Sequence, residues 1–103
     1  MLNTFKNKKI LITGGSTGIG AELAKAFARQ GAIVGLHYLS SADAANQVAS
    51  EIISEGGTVE LIRADASDSP ALAAAVKEAA ERLGGLNGII NNAGGMVRRV
   101  PYA

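Results

Sequence analysis

Two apolar patterns alternate along this chain, and the alternation constrains its fold more than any single residue does. Short runs rich in Ile, Leu and Val, at residues 9–13, 32–38, 58–64 and 86–91, are separated by stretches whose apolar residues recur three or four apart. Repeated βαβ units read this way, and near-continuous apolar runs suit parallel strands covered on both faces. In the first long stretch, 18–30, Ile19, Leu23 and Phe27 share a stripe with Ala26, while Glu22, Lys25 and Arg29 fall elsewhere and Gly31 ends the run. In the second, 41–55, the stripe is Ala45, Val48, Ala49, Ile52 and Ile53, stopped by Gly56 and Gly57. The third, 69–83, carries Leu72, Val76, Ala79 and Leu83, with Lys77, Glu78, Glu81 and Arg82 around the back. Ser69 as N-cap, Pro70 at the first helical position and Gly84 past the end agree with helix-terminus chemistry. The predicted fold class is therefore α/β: a doubly wound parallel sheet of about four strands and three main helices. Right-handed crossovers predict the strand order 3-2-1-4, with helices one and two on one face and helix three on the other.

Composition narrows the function classes. With 103 residues, 10 Lys+Arg against 9 Asp+Glu, and a net charge of +1, the chain has no electrostatic footprint for nucleic acid or an anionic membrane. Lys6, Lys8 and Lys9 have no aromatic among them and read as a solvated face, as do Arg98 and Arg99. A 48% hydrophobic content and the absence of any linker predict one small folded domain with a thin core. The lack of Cys excludes disulfides, thiolate metal sites and a Cys nucleophile, and fits a reducing compartment. No apolar stretch approaches a membrane span, and the run Ile10–Ile12 is too short for a signal-peptide core, so a soluble, cytoplasmic protein is expected.

The most informative residues are Thr13, Gly14, Gly15, Ser16, Thr17, Gly18, Ile19 and Gly20, between the first strand and the first helix. A helix start offers unpaired N–H groups and the positive end of the macrodipole, and residues without Cβ let a diphosphate approach those donors. Gly14 would permit the tight turn, Gly18 the close backbone approach, and Gly20 the packing of helix on strand. The Gly-x-x-x-Gly-x-Gly spacing differs from the Gly-x-Gly-x-x-Gly fingerprint, and no Lys-Ser/Thr follows as in a P-loop. A purely structural turn is the competing reading. The setting between an apolar strand and a striped helix favours phosphate binding.

The segment from Thr13 to Gly20 resembles the Thr-Gly-x-x-x-Gly-x-Gly motif of the short-chain dehydrogenase/reductases. Asn91, Asn92, Ala93 and Gly94 are similar to that family's Asn-Asn-Ala-Gly after strand four. The chain looks in particular like the branch containing the 3-oxoacyl-carrier-protein reductases. The resemblance implies a Rossmann-type NAD(P)-binding domain over residues 1–103, C-terminally incomplete relative to the family. It implies that Gly14, Ser16, Thr17, Gly18, Ile19 and Gly20 form the diphosphate turn. Asp65 would take the adenine amino group beside Ala66, and Asn92, Ala93 and Gly94 would line the cofactor with main-chain atoms, with Asn91 tying adjacent strands. Asp68 and Ser69 are assigned to capping.

After strand two an NAD enzyme places a carboxylate for the ribose 2′-OH. This chain has Tyr38, Leu39 and Ser40 there, so Ser40, Ser41 or Thr17 can donate to a 2′-phosphate, and NADP(H) is favoured over NAD(H). His37 offers possible extra charge there but reads more simply as a satisfied structural residue. Two departures from the family, Asn87 for Asp and Gly88 for an apolar residue, bear on how firmly strand four is held.

Carbonyl reduction needs a proton donor of suitable pKa and an electrostatic partner. The family uses a Ser with a Tyr-x-x-x-Lys pair. None is present here: Tyr38 is followed four positions on by Ala42, and Tyr102 is penultimate. No catalytic residue is assigned. The leading expectation is the cofactor-binding portion of an oxidoreductase that acts on a carbonyl or alcohol when complete. A stand-alone dinucleotide-binding module, or a non-catalytic product that associates with other subunits, are the alternatives. With one helix covering its side of the sheet, apolar atoms of strands one and four are expected to stay exposed, leading to self-association, a borrowed surface or loose packing.

Overall fold

The computed structural model describes residues 5–14, 18–64 and 69–92. Seven elements follow in order: β1 Lys9–Thr13, α1 Gly18–Arg29, β2 Ile33–Tyr38, α2 Ala42–Ser54, β3 Thr58–Arg63, α3 Ser69–Leu83 and β4 Gly88–Asn91. The strands form one parallel sheet in the order β3-β2-β1-β4, as the alternating pattern predicts. Consecutive strand residues point to opposite faces, and the core divides accordingly. Ile10, Ile12, Val34, Leu36 and Ile90 meet α1 and α2 through Ala21, Ala24, Ala45, Val48 and Ile52. Leu11, Ile62 and Ile89 meet α3 through Ala79 and Leu83, with Leu86 beside them. Burying an Ile or Leu fully contributes about 1.5–3 kcal/mol, so these two layers are what makes so short a chain fold.

The stripe on α1 is rotated from its expected position. Gly20, Ala21 and Ala24 face the sheet, Leu23 and Phe27 pack at the margin, and Ile19 is 71% exposed. Small residues let the helix axis come close to the strands, which displaces the larger side chains sideways. Ile53, counted on the α2 stripe, is likewise exposed, whereas Ala45, Val48, Ala49 and Ile52 are buried as expected. On the other face Gly35 lies beneath α3, where an added Cβ would stand 3.2 Å from Leu83 and 3.3 Å from Ile62.

Strand four begins later than the apolar run suggests, because Asn87 pairs with β1 by a different route. The Asn87 N–H donates to the Lys9 carbonyl at 2.7 Å, and the Lys9 N–H donates to Asn87 Oδ1 at 2.8 Å. The side chain thus replaces one ladder bond, and Lys9 Nζ adds a bond to the Gly84 carbonyl. Asn87 holds strand four rather than loosening it. Gly88 has the opposite effect: an apolar cavity of about 70 Å³ lies beside it, lined also by Phe5, Ile10, Phe27, Ile89 and Ile90.

The expected exposure of strands one and four is not found. Ile10, Leu11, Ile12, Ile89 and Ile90 are all buried, because α3 and Leu86 cover one face while α1, Phe5 and Phe27 cover the other. Phe5 reaches this place through a turn that bonds to the Gln30 carbonyl, its ring meeting Phe27 edge-on at 4.9 Å. No helix among the described residues is long and apolar enough to cross a membrane.

Candidate functional site

The sheet order puts the carboxyl ends of β1 and β4 side by side, with β4 on the opposite flank of β1 from β2. In doubly wound sheets, ligands sit outside the carboxyl ends of the strands at such a point. Gly14 stands at this point, just after β1, in the left-handed region at φ +62. Its N–H donates to His37 Nδ1 at 3.0 Å, and its carbonyl accepts from Asn92 Nδ2 at 3.2 Å. Buried Thr13, one residue earlier, donates through Oγ1 to the Ile90 carbonyl at 3.4 Å.

Helix α1 opens at Gly18, also left-handed at φ +57. Among the described residues, its chain neighbours and its own helix backbone aside, no heavy atom lies within 4 Å of the position a Cβ would occupy there, so its backbone conformation rather than such a neighbour calls for glycine. Ile19 beside it is exposed and Gly20 is buried against the sheet, the place its expected packing role demands. Ser16 and Thr17 lie outside the described residues, as do Asp65, Ala66, Asp68, Ala93 and Gly94.

Tyr38 ends β2 half-buried, packed against the core on the α1 and α2 side, with Leu39 and Ser40 exposed after it. Arg63 is its partner in the β2–β3 register and is exposed. In the sequence, neither the loop after strand two nor the position before Gly18 carries an Arg or Lys. The register that brings Arg63 level with Tyr38 is set by pairing between distant segments and has no local signal. His37 is 4% exposed with both ring nitrogens bonded, so it offers no charge to a ligand. Asn92, read as a main-chain contributor, uses its side chain to tie β4 to the Gly14 turn. Among the described residues no group of His, Cys, Asp and Glu is arranged to hold a metal ion.

A parallel 3-2-1-4 sheet with a glycine turn at its switch point is the Rossmann-type fold, and the comparisons place it in an oxidoreductase family. Residues 8–102 match the short chain dehydrogenase family, and the chain belongs to that family. It is 40% identical over 92 residues to a fatty acyl-CoA reductase of Mycobacterium tuberculosis, covering 89% of this chain and 31% of that protein. It is 40% identical over 94 residues to a 2,5-dichloro-2,5-cyclohexadiene-1,4-diol dehydrogenase of Sphingobium indicum, covering 91% and 37%. A dehydrogenase/reductase from Sinorhizobium meliloti superposes with a TM-score of 0.82 at 43% identity, over 87% of this chain and 36% of that one. A short chain dehydrogenase from Burkholderia cenocepacia in complex with NADP gives 0.78 at 41% identity, over 84% and 36%. The chain thus spans about a third of the length of these relatives. Their names record different substrates, so the likeness extends to the family and not to a substrate or to the carrier-protein reductase branch.

Proposed function

We propose that this chain is the dinucleotide-binding part of an NAD(P)(H)-dependent oxidoreductase that uses NADP(H) in preference to NAD(H). The observation that carries the reading is the pair of glycines at the switch point: Gly14 is held from both sides, and exposed Gly18, left-handed at φ +57, begins α1. Without a Cβ at residue 18, the residues present fit a diphosphate approaching main-chain N–H groups. Gly14, Ser16, Thr17, Gly18 and Ile19 would bind it, and Gly20 keeps α1 close to β1. Asp65 and Ala66 would receive the adenine, and Asn92, Ala93 and Gly94 would line the cofactor with main-chain atoms.

Preference for a 2′-phosphate is supported by the absence of a carboxylate from Tyr38 to Ser41 and by the neighbouring exposed guanidinium of Arg63. Ser40 would add a hydroxyl donor. When bound, the nicotinamide supplies or accepts the hydride exchanged with a carbonyl or alcohol. This chain's residues bind and orient, and the sequence holds no Tyr-x-x-x-Lys pair to serve as proton donor in that exchange. The NADP bound by the Burkholderia relative agrees with this reading.

Fluorescence titration tests it. The protein should give a saturable NADPH signal, and Gly18→Val should weaken it by at least tenfold, since a branched side chain strains φ +57 and stands at the exposed helix start. Arg63→Ala should weaken NADPH by roughly tenfold while leaving NADH unchanged, the loss of one charge-assisted phosphate contact. No saturable signal with either nucleotide overturns the reading; equal effects of Arg63→Ala on both overturn the assigned preference.

A further inference from the structure

Among the described residues only two polar side chains are buried, Thr13 and His37. His37 Nδ1 lies 3.0 Å from the Gly14 amide after β1, and Nε2 lies 2.6 Å from the Ala64 carbonyl after β3. An amide only donates and a carbonyl only accepts, so Nδ1 carries the lone pair and Nε2 the proton. The ring is neutral, in one tautomer, and joins three strand ends.

We infer that His37 is a positioning residue for dinucleotide binding: it sets the direction in which the chain enters the glycine-rich turn and touches no ligand itself. The inference rests on the dinucleotide reading above. The peptide plane before Gly14 is held through its N–H by His37, and the plane after it through its carbonyl by Asn92. Between them Gly14 sits at φ +62, where a glycine is otherwise free to turn. With both planes held, the chain leaves Gly14 in a fixed direction. A direction fixed beforehand spares entropy on binding, so releasing one side of this clamp weakens affinity without removing any ligand contact.

Two substitutions separate this role from general support of the fold. Asn at 37 places its Oδ1 where imidazole has Nδ1 and keeps an acceptor for Gly14. Gln reaches only to the depth of Nε2, keeping a donor for Ala64 but leaving the Gly14 N–H without its acceptor. His37→Asn is expected to bind NADPH within about threefold of the parent. His37→Gln is expected to bind on the order of tenfold more weakly, the effect of one buried donor left unsatisfied. Melting temperatures are recorded beside the affinities, and both variants should lose stability to a similar degree. Amide hydrogen exchange at Gly14 without ligand gives an independent readout: protected in the parent and His37→Asn, unprotected in His37→Gln. Equal affinities for the two variants, or unchanged Gly14 exchange in His37→Gln, overturn the positioning role. A protected Gly14 amide in a parent protein that binds no nucleotide overturns the dinucleotide reading instead, and the affinity role with it.

Discussion

At the residue scale, two glycines with similar backbones and different surroundings separate strain from space. Gly31 and Gly56 end α1 and α2 at φ +92 and φ +85. An added Cβ at Gly31 would lie 2.9 Å from the Lys6 main-chain Cα, whereas at Gly56 it would meet nothing within 4 Å. Gly56→Ala should therefore cost about 1 kcal/mol, the left-handed penalty alone. Gly31→Ala should cost about 3 kcal/mol, because the N-terminal turn that bonds to residues 30 and 31 must also move. Urea denaturation of both variants checks the difference. Gly88 makes the reverse case, since it pairs with Ile10 beside the apolar cavity and takes up none of that space. Gly88→Val should stabilise the protein by about 1 kcal/mol, a rise of roughly 4–8 °C in Tm for a domain of this size. A fall in Tm would show that the β4 backbone does not accept a side chain there.

At the element scale, α1 and α2 are joined across the surface by charge as well as by packing. Lys25 bonds to Glu22 at 2.8 Å within α1 and reaches Glu51 of α2 at 3.6 Å, while Arg29 bonds to Glu55 at 2.9 Å. The hydrogen bond and charge of Lys25 hold the Glu22 carboxyl below the usual carboxylate range, and Arg29 does the same to Glu55. A carboxylate depressed in the folded state stabilises the fold at any pH above its unfolded pKa, near 4.5. That contribution is lost as the pH falls through the folded value. Tm should therefore drop on acidification below about pH 5, and Glu55→Gln should make the drop shallower. Because the pairs are exposed, the effect should be small and reduced further in high salt, which a salt series of melting curves reads directly.

At the scale of the whole molecule, binding and folding are linked. A nucleotide that binds only the folded chain adds about 2.7 kcal/mol at a concentration one hundred times its dissociation constant. Saturating NADPH should accordingly raise Tm, and NADH at the same concentration should raise it less.

Element types, their order and the strand sequence 3-2-1-4 were legible before any coordinates. Periodicity is a local property, and parallel strands joined through helices admit few arrangements. The strand end at Thr13 and the helix start at Gly18 that flank the glycine-rich segment were legible for the same reason. What only the tertiary structure decided lies where residues distant in the chain meet. Which side of α1 faces the sheet, the bond of Asn87 to Lys9, the placing of Arg63 level with Tyr38, and the hold of His37 and Asn92 on Gly14 are of this kind. Each depends on register and close approach between separate segments, quantities set by packing the whole sheet at once and written in no single stretch of sequence.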